Sequence, residues 1–338
     1  MSTNTHVTSN IFVTLAAAII VIAGVRSAAD ILVPFLLSVF IAVLSAPMMH
    51  WLSRRGVPDV LAVLLMMLGF LVSGTGLTVF LGGTVNAFYK DIPLYETKLQ
   101  NLMQGIVAWL NNLGIEVPAN LLREYVDPSV VMNMVTSVFN GLGGVLTNAF
   151  LILFTVVFIL LEASGMPEKL KRAFGEQTSA FAHFERFSNL VQRYLAIKTL
   201  MSLGTGVCIG VVLWIIGVDY APVWAVIAFL LNYIPNIGSI IAAVPAVLIA
   251  LIQLGPGSAL ATAITYVVAN MTFGNVLEPR MMGRTLGLST LVVFLSLIFW
   301  GWILGPVGML LSIPLTMVVK IALETRQSTR WMATLLDH

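Results

Sequence analysis

The sequence predicts an all-α polytopic integral membrane protein with about eight membrane segments. Two of these are broken or re-entrant helical hairpins, and a small amphipathic helical insert interrupts the series. Three observations lead there. The 338 residues are 59% hydrophobic and only 9% charged, with a mean hydropathy of +0.98, whereas a soluble domain carries roughly 25% charged residues. Apolar runs of spanning length recur along the chain, separated by short basic stretches. The block from Asn275 to Lys320 sets an acid, two arginines, several glycines and three prolines among strongly apolar residues, a mixture suited to broken helices around a polar site.

The same numbers exclude other classes. A net charge of +2 is too small to suggest a nucleic-acid partner. Cys208 is the only cysteine and lies in an apolar run, so neither a disulfide framework nor a thiolate metal site is expected. His6, His50, His183 and His338 are too dispersed for a metal cluster. There is no GxxxxGK[ST] loop, no HExxH and no GxSxG. The chain is therefore expected to be no enzyme, to drive nothing by nucleotide hydrolysis and to carry no cofactor.

Taken in order, residues 1–83 hold three membrane segments. Ile11–Val25 lacks a preceding Lys or Arg and a small-residue cleavage site, and reads as an uncleaved helix. Ile31–Leu52 tolerates Pro34 and Pro47 where neighbours re-satisfy freed carbonyls. Arg54 and Arg55 then mark a cytoplasmic turn before the span Val60–Gly83. Residues 84–144 form the insert: Leu99, Leu102, Ile106, Leu110 and Leu113 recur at helical spacing, and a second short helix is expected over Val131, Val135, Val138 and Leu142. Its acids outnumber its bases, which fits the outer side.

Residues 145–161 make the fourth segment. Residues 162–198 carry Lys169, Lys171, Arg172, Arg186, Arg193 and Lys198, a cluster expected on interfacial helices in the cytoplasm. Residues 199–323 form the C-terminal bundle. In it Thr199–Gly217 carries Gly206 and Gly210 at GxxxG spacing, which allows close helix packing. Ala221–Leu254 is broken by NYIPNIG, Asn232 to Gly238. Ala259–Phe273 is a span, followed by a polar loop from Glu278 to Ser289, then Leu291–Ile303 and Met309–Ile321 around GPVG. If Ala221–Leu254 dips in and returns, Arg280, Arg284 and the tail of residues 324–338 all fall inside, as the charge rule prefers; a single crossing puts them outside. The halves around GPVG, about 20 Å each at 1.5 Å per residue, are short of the ~30 Å hydrocarbon core and make a second hairpin.

The polar chemistry concentrates at these breaks. Pro235, Gly238 and Pro245 in one echo Pro306, Gly308 and Pro314 in the other, and such paired interruptions offer free backbone groups at membrane depth. The candidate substrate pathway is Asn232, Pro235, Asn236, Gly238, Asn270, Asn275, Glu278, Arg280, Gly305 and Gly308. Gly238 and Gly308 are expected to let the backbone turn or meet the solute, since glycine alone reaches φ > 0 without penalty. Glu278 with Arg280 or Arg284 is either a structural ion pair at the inner interface or part of a solute or proton pathway. No acid falls inside a placed span, which favours a neutral polar solute over a cation.

The blocks NYIPNIGSIIAAVP and GNVLEPRMMGRTLGLSTLVVFLSLIFWGWILGPVGMLLSIPLT, with LVPF at Leu32–Phe35, resemble the autoinducer-2 exporter family of bacterial permeases, close to its branch for transport of quorum-sensing signal A. The likeness covers nearly all the chain, and Pro235, Asn236, Gly238, Asn275, Glu278, Pro279, Gly283 and Gly287 match its motif positions. It implies a multi-pass protein of the bacterial inner membrane, with cytoplasmic termini, that exports the small oxygen-rich autoinducer-2. It further implies a homopentamer in the lipid bilayer with an elevator-like movement. Sodium or lithium/proton antiport is the alternative activity.

The orientation is directly testable. In a Cys208→Ala background, an impermeant thiol reagent added from outside is expected to label a cysteine at Asn112 and spare one at Gln177; the reverse pattern would invert the topology.

Overall fold

The computed structural model describes residues 16–17, 19–114, 148–174, 179–235, 237–282, 288–325 and 329–336. Every regular element among them is helical, so the chain is an all-α polytopic membrane protein. Residues 19–27 are helical ahead of α1 (Ala29–Arg54). Next come α2 (Asp59–Asn112), α3 (Ala149–Phe174), α4 (Ser179–Ile216), α5 (Ala221–Leu231), α6 (Ile237–Leu254) and α7 (Pro256–Ala269). A π-helix over Asn270–Leu277 joins α7 to α8 (Glu278–Met282), and α9 (Thr290–Leu310), α10 (Ser312–Thr325) and α11 (Arg330–Leu335) complete the order. Among the described residues, Ala29–Arg54, Asp59–Gly76, Ser188–Ile216, Ile237–Leu254, Pro256–Met282 and Thr290–Leu310 are long and apolar enough to cross a membrane.

The helices expose apolar faces and bury polar ones, the pattern a lipid solvent selects because tails offer no hydrogen bonds. On α4, Leu200, Leu203, Val207, Val211 and Trp214 are exposed at helical spacing, while Ser202 and Thr205 are buried. Phe150, Phe154 and Phe158 form an exposed ladder along α3.

The chain divides into two compact units. In the first (residues 1–64, 150–192 and 286–338), the Ser38 hydroxyl of α1 donates to the carbonyls of Pro34, at 2.7 Å, and of Ile152 in α3, at 3.2 Å. A helical proline thus sits beside a hydroxyl that serves nearby backbone, as expected for Pro34. The Arg26 guanidinium lies 4.3 Å from the ring centre of Trp302. α9 bends at Gly305, whose φ of 67° and ψ of −152° belong to a region essentially open to glycine alone. The chain beyond the bend folds back so closely that a Cβ on Gly308 would stand 2.0 Å from the Trp300 carbonyl oxygen. The Trp300 indole N–H donates to Thr316 Oγ1 of α10 at 3.0 Å, closing the hairpin.

In the second unit (residues 65–149 and 193–285), α4 packs on α5 through the GxxxG pair: a Cβ on Gly206 would lie 2.8 Å from the Ala225 carbonyl oxygen, and one on Gly210 2.7 Å from the Ala225 Cβ. At 11 residues α5 spans about 16 Å and cannot cross; at 18 residues α6 reaches about 27 Å. The first break is therefore an unequal pair of helices rather than two equal halves. Buried Ala242, Ala246, Ile249 and Ala250 of α6 and Ala259, Thr262, Tyr266 and Ala269 of α7 make a small-residue interior.

Two expectations change. The insert does not begin a new helix at Thr84, because α2 continues as one 54-residue rod through the Leu99–Leu110 stripe; the second stripe, over Val131–Leu142, lies outside the described residues. Asp91 and Tyr95 of this rod meet Asp219 and Tyr220 of the α4–α5 turn reciprocally. Tyr95 donates to Asp219 at 2.8 Å and Tyr220 donates to Asp91, while the Trp224 indole donates to the Asp219 carbonyl at 2.9 Å. Burial first, and then the acidic acceptors, push both phenols well above their ordinary pKa, so they stay donors. The second change concerns Gly238 and Gly308. Neither has positive φ; each is needed because a preceding helix ends against it, and a Cβ on Gly238 would lie 1.8 Å from the Leu231 carbonyl oxygen.

Alanine at Gly238 or Gly308 is accordingly expected to destabilise the fold. Overpacking costs roughly 1–3 kcal/mol where side chains can give way, and here the obstacle is backbone. Thermal unfolding of the purified variants is the measurement. A melting temperature unchanged from wild type would remove the close-approach explanation.

Candidate functional site

The first break, the π-helix and the middle of α4 enclose a cavity of about 70 Å³ within the second unit. Its wall is formed by Lys198, Asn232, Ile234, Pro235, Ser239, Asn270, Gly274, Asn275 and Glu278. Three local features converge on it. On α4, Tyr194, Lys198, Ser202 and Thr205 are buried at spacings of three and four, a polar stripe on an otherwise apolar helix. At the break, α5 ends at Leu231 and the turn over residues 232–235 supplies Asn232 and Pro235 before α6 begins. The third is the π-helix, whose i→i+5 hydrogen bonding widens each turn, so that Asn270, Gly274, Asn275 and Glu278 all reach one wall. A Cβ on Gly204 would lie 2.5 Å from the Phe273 ring; that glycine is what lets the π-helix lie against α4.

At the centre is an ion pair. Lys198 Nζ lies 3.0 Å from Glu278 Oε1 and 2.9 Å from Oε2, with side chains only 6% and 15% exposed. One ammonium therefore bridges both carboxylate oxygens. An ionised side chain at the bilayer centre costs about 2.5–3.5 kcal/mol even on the mild insertion scale. Removing one member of such a buried pair typically costs about 3–5 kcal/mol, because the survivor is left uncompensated. Around the pair, Asn232 Nδ2 donates to Ser202 Oγ at 3.0 Å, the Tyr233 hydroxyl to Thr199 Oγ1 at 2.8 Å, and Thr199 Oγ1 to the Leu195 carbonyl at 2.7 Å. The cavity thus offers a carboxylate, an ammonium, carboxamides and hydroxyls, a set able to bind hydroxyl groups as both donor and acceptor. Among the described residues no group of three or more His, Cys, Asp or Glu could hold a metal ion.

Of the residues singled out from sequence, Asn232, Pro235, Asn270, Asn275 and Glu278 come together here. Gly238 stands just behind the wall against Leu231, and Asn236 lies outside the described residues. Arg280 is exposed on α8 and lines nothing in this cavity. Gly305 and Gly308 belong to the other unit. The expected partner of Glu278 was Arg280 or Arg284; Arg284 lies outside the described residues, and the ion pair is made with Lys198. Nor is Glu278 in a loop. It continues the helical stretch Pro256–Met282, itself a candidate span, so an acid does fall within the bundle. Lys198 escaped notice because it closes a run of basic residues at the edge of an apolar segment. The signal that could have found it is its register with Tyr194, Ser202 and Thr205.

Comparison with known proteins bears on this geometry. The model of the family described as AI-2E family transporter matches residues 11–327. The chain is 42% identical to the AI-2 transport protein TqsA of Escherichia coli K12, over 97% of this chain and 95% of that protein. It is 43% identical to a putative transport protein of Haemophilus influenzae, over 95% and 94% respectively. A putative transport protein of Bacillus subtilis, YrrI, is 27% identical over 86% of this chain and 85% of its own length. With a match along almost its whole length, and with broken helices around a polar cavity, the chain belongs to the AI-2E transporter family.

Proposed function

We propose that the cavity beside the Asn232–Gly238 break is the solute site of a secondary transporter or facilitator that exports autoinducer-2, or a solute like it, across the bacterial inner membrane. The observation that carries this reading is a charge-compensated polar cavity set between two candidate spans at a helix break. A carboxylate can accept two neighbouring hydroxyls, and carboxamides both donate and accept, which suits a small polyhydroxylated molecule. Support for the substrate comes from the name of the Escherichia coli relative.

At about 70 Å³, the cavity has room for a few waters, whereas ligand sites usually measure about 300–1,000 Å³. Loading the solute thus requires the walls to part, in keeping with an elevator-like cycle in a homopentamer with cytoplasmic termini and residues 84–144 outside. Gly305, Gly308 and Arg280 remain candidates for the pathway beyond the cavity.

Sodium or lithium/proton antiport is the second reading, and the position of Glu278 inside a candidate span favours it. Against it stands Lys198, which already neutralises that carboxylate.

The test is uptake and efflux of labelled autoinducer-2 in proteoliposomes, with and without proton or sodium gradients. Asn270→Ala and Asn275→Ala are expected to raise the half-saturating concentration roughly five- to hundredfold, the equivalent of ~1–3 kcal/mol for a partner left unpaired, with expression unchanged. Transport at wild-type concentrations by both variants would move the solute site elsewhere.

A further inference from the structure

We infer that the Lys198 ammonium is a built-in cation: it occupies the position on Glu278 that a free sodium or lithium ion would take, and so makes solute binding independent of those ions. The inference rests on the transport reading for the solute but not for the cation chemistry. Among the described residues, Lys198 and Glu278 are the only charged side chains lining the cavity. The Nζ stands almost equally far from both carboxylate oxygens, at 2.9 and 3.0 Å, as a monovalent ion held by both would. Asn232, Asn270 and Asn275 place carboxamides around the same space, and hard cations favour carboxylate and carbonyl oxygens. All the parts of a small-cation site are present, with the cation supplied by α4.

An incoming sodium ion would have to displace an ammonium that is 6% exposed and leave it unpaired in a low-dielectric interior, which disfavours exchange. Without the ammonium, the balance inverts. The carboxylate and the carboxamides then form a vacant site whose charge calls for a small cation.

Thermal unfolding of the purified full-length protein in sodium, lithium or choline chloride at equal ionic strength reads this directly. Wild type is expected to melt at one temperature in all three salts. Lys198→Ala is expected to melt lower in choline and to be raised roughly 2–4 °C by saturating sodium or lithium, with methylammonium chloride restoring stability as a free substitute for the lost head group. Adding Glu278→Gln to Lys198→Ala should abolish these responses. Selective stabilisation of the wild type by sodium or lithium would overturn the inference, as would a Lys198→Ala protein that treats all the salts alike. If that variant is recovered folded only when purified in sodium or lithium, the inference stands; if neither it nor Lys198→Gln folds in any salt, the inference falls. Autoinducer-2 flux in wild-type proteoliposomes separates the two readings. Flux that needs sodium sinks the built-in cation alone, whereas the expected salt pattern without any flux sinks the solute assignment alone.

Discussion

The contact between the Lys198 ammonium and the Glu278 carboxylate sets the terms for the second unit, because neither charge is tolerable alone in a hydrocarbon-solvated bundle. Holding the two heads within 3.0 Å requires α4 and the Pro256–Met282 stretch to approach closely at one level. The glycine under Phe273 permits that approach. Once made, it leaves a polar volume beside the pair that apolar side chains could fill only by stranding Asn232, Ser202 and Thr199 without partners. The cavity is the remainder of a constraint, as well as a place for a solute.

Backbone satisfaction imposes the second constraint. A helix that stops inside a membrane leaves carbonyls without partners, and both breaks answer this by folding the next helix tightly over the last. At Gly238 and at Gly308 the carbonyl of a residue in the preceding helix comes so near that no Cβ fits. The shared solution explains why Pro and Gly recur in the two segments at nearly the same spacing, with the offset of one residue taken up by the different turns: residues 232–235 in one, the single bend at Gly305 in the other.

Much of this was legible in the residues. Composition and run length identified the class, NYIPNIG and GPVG marked the breaks, and Gly206 with Gly210 marked a tight helix contact that the structure makes with Ala225. Helix continuity was not legible. Basic residues read as an interfacial cluster run without interruption into a span as α4, which hid the inward-facing Lys198 among cations on the same helix. Pro279 suggested a loop around Glu278, since proline removes a helical hydrogen bond. Within a helix whose preceding turns are already widened, the missing N–H is accommodated and the helix continues to Met282. Periodicity assumes 3.6 residues per turn, so a π-segment is invisible to it.

That widened segment has a consequence for how the chain can change over time. A π-turn rotates the downstream helix as one extra residue slipped into an α-helix would, and each residue of an α-helix advances the direction of its side chains by about 100°. Glu278 faces Lys198 because Asn270–Leu277 supplies that additional rotation. Loss of a single codon for a residue outside the wall, such as Met271, would let the segment relax to ordinary helix with its length nearly unchanged. The carboxylate would then turn away from α4 although every residue lining the cavity kept its identity. Angular phase, rather than residue identity alone, is therefore an inherited property of this site, and a substitution count would miss its loss.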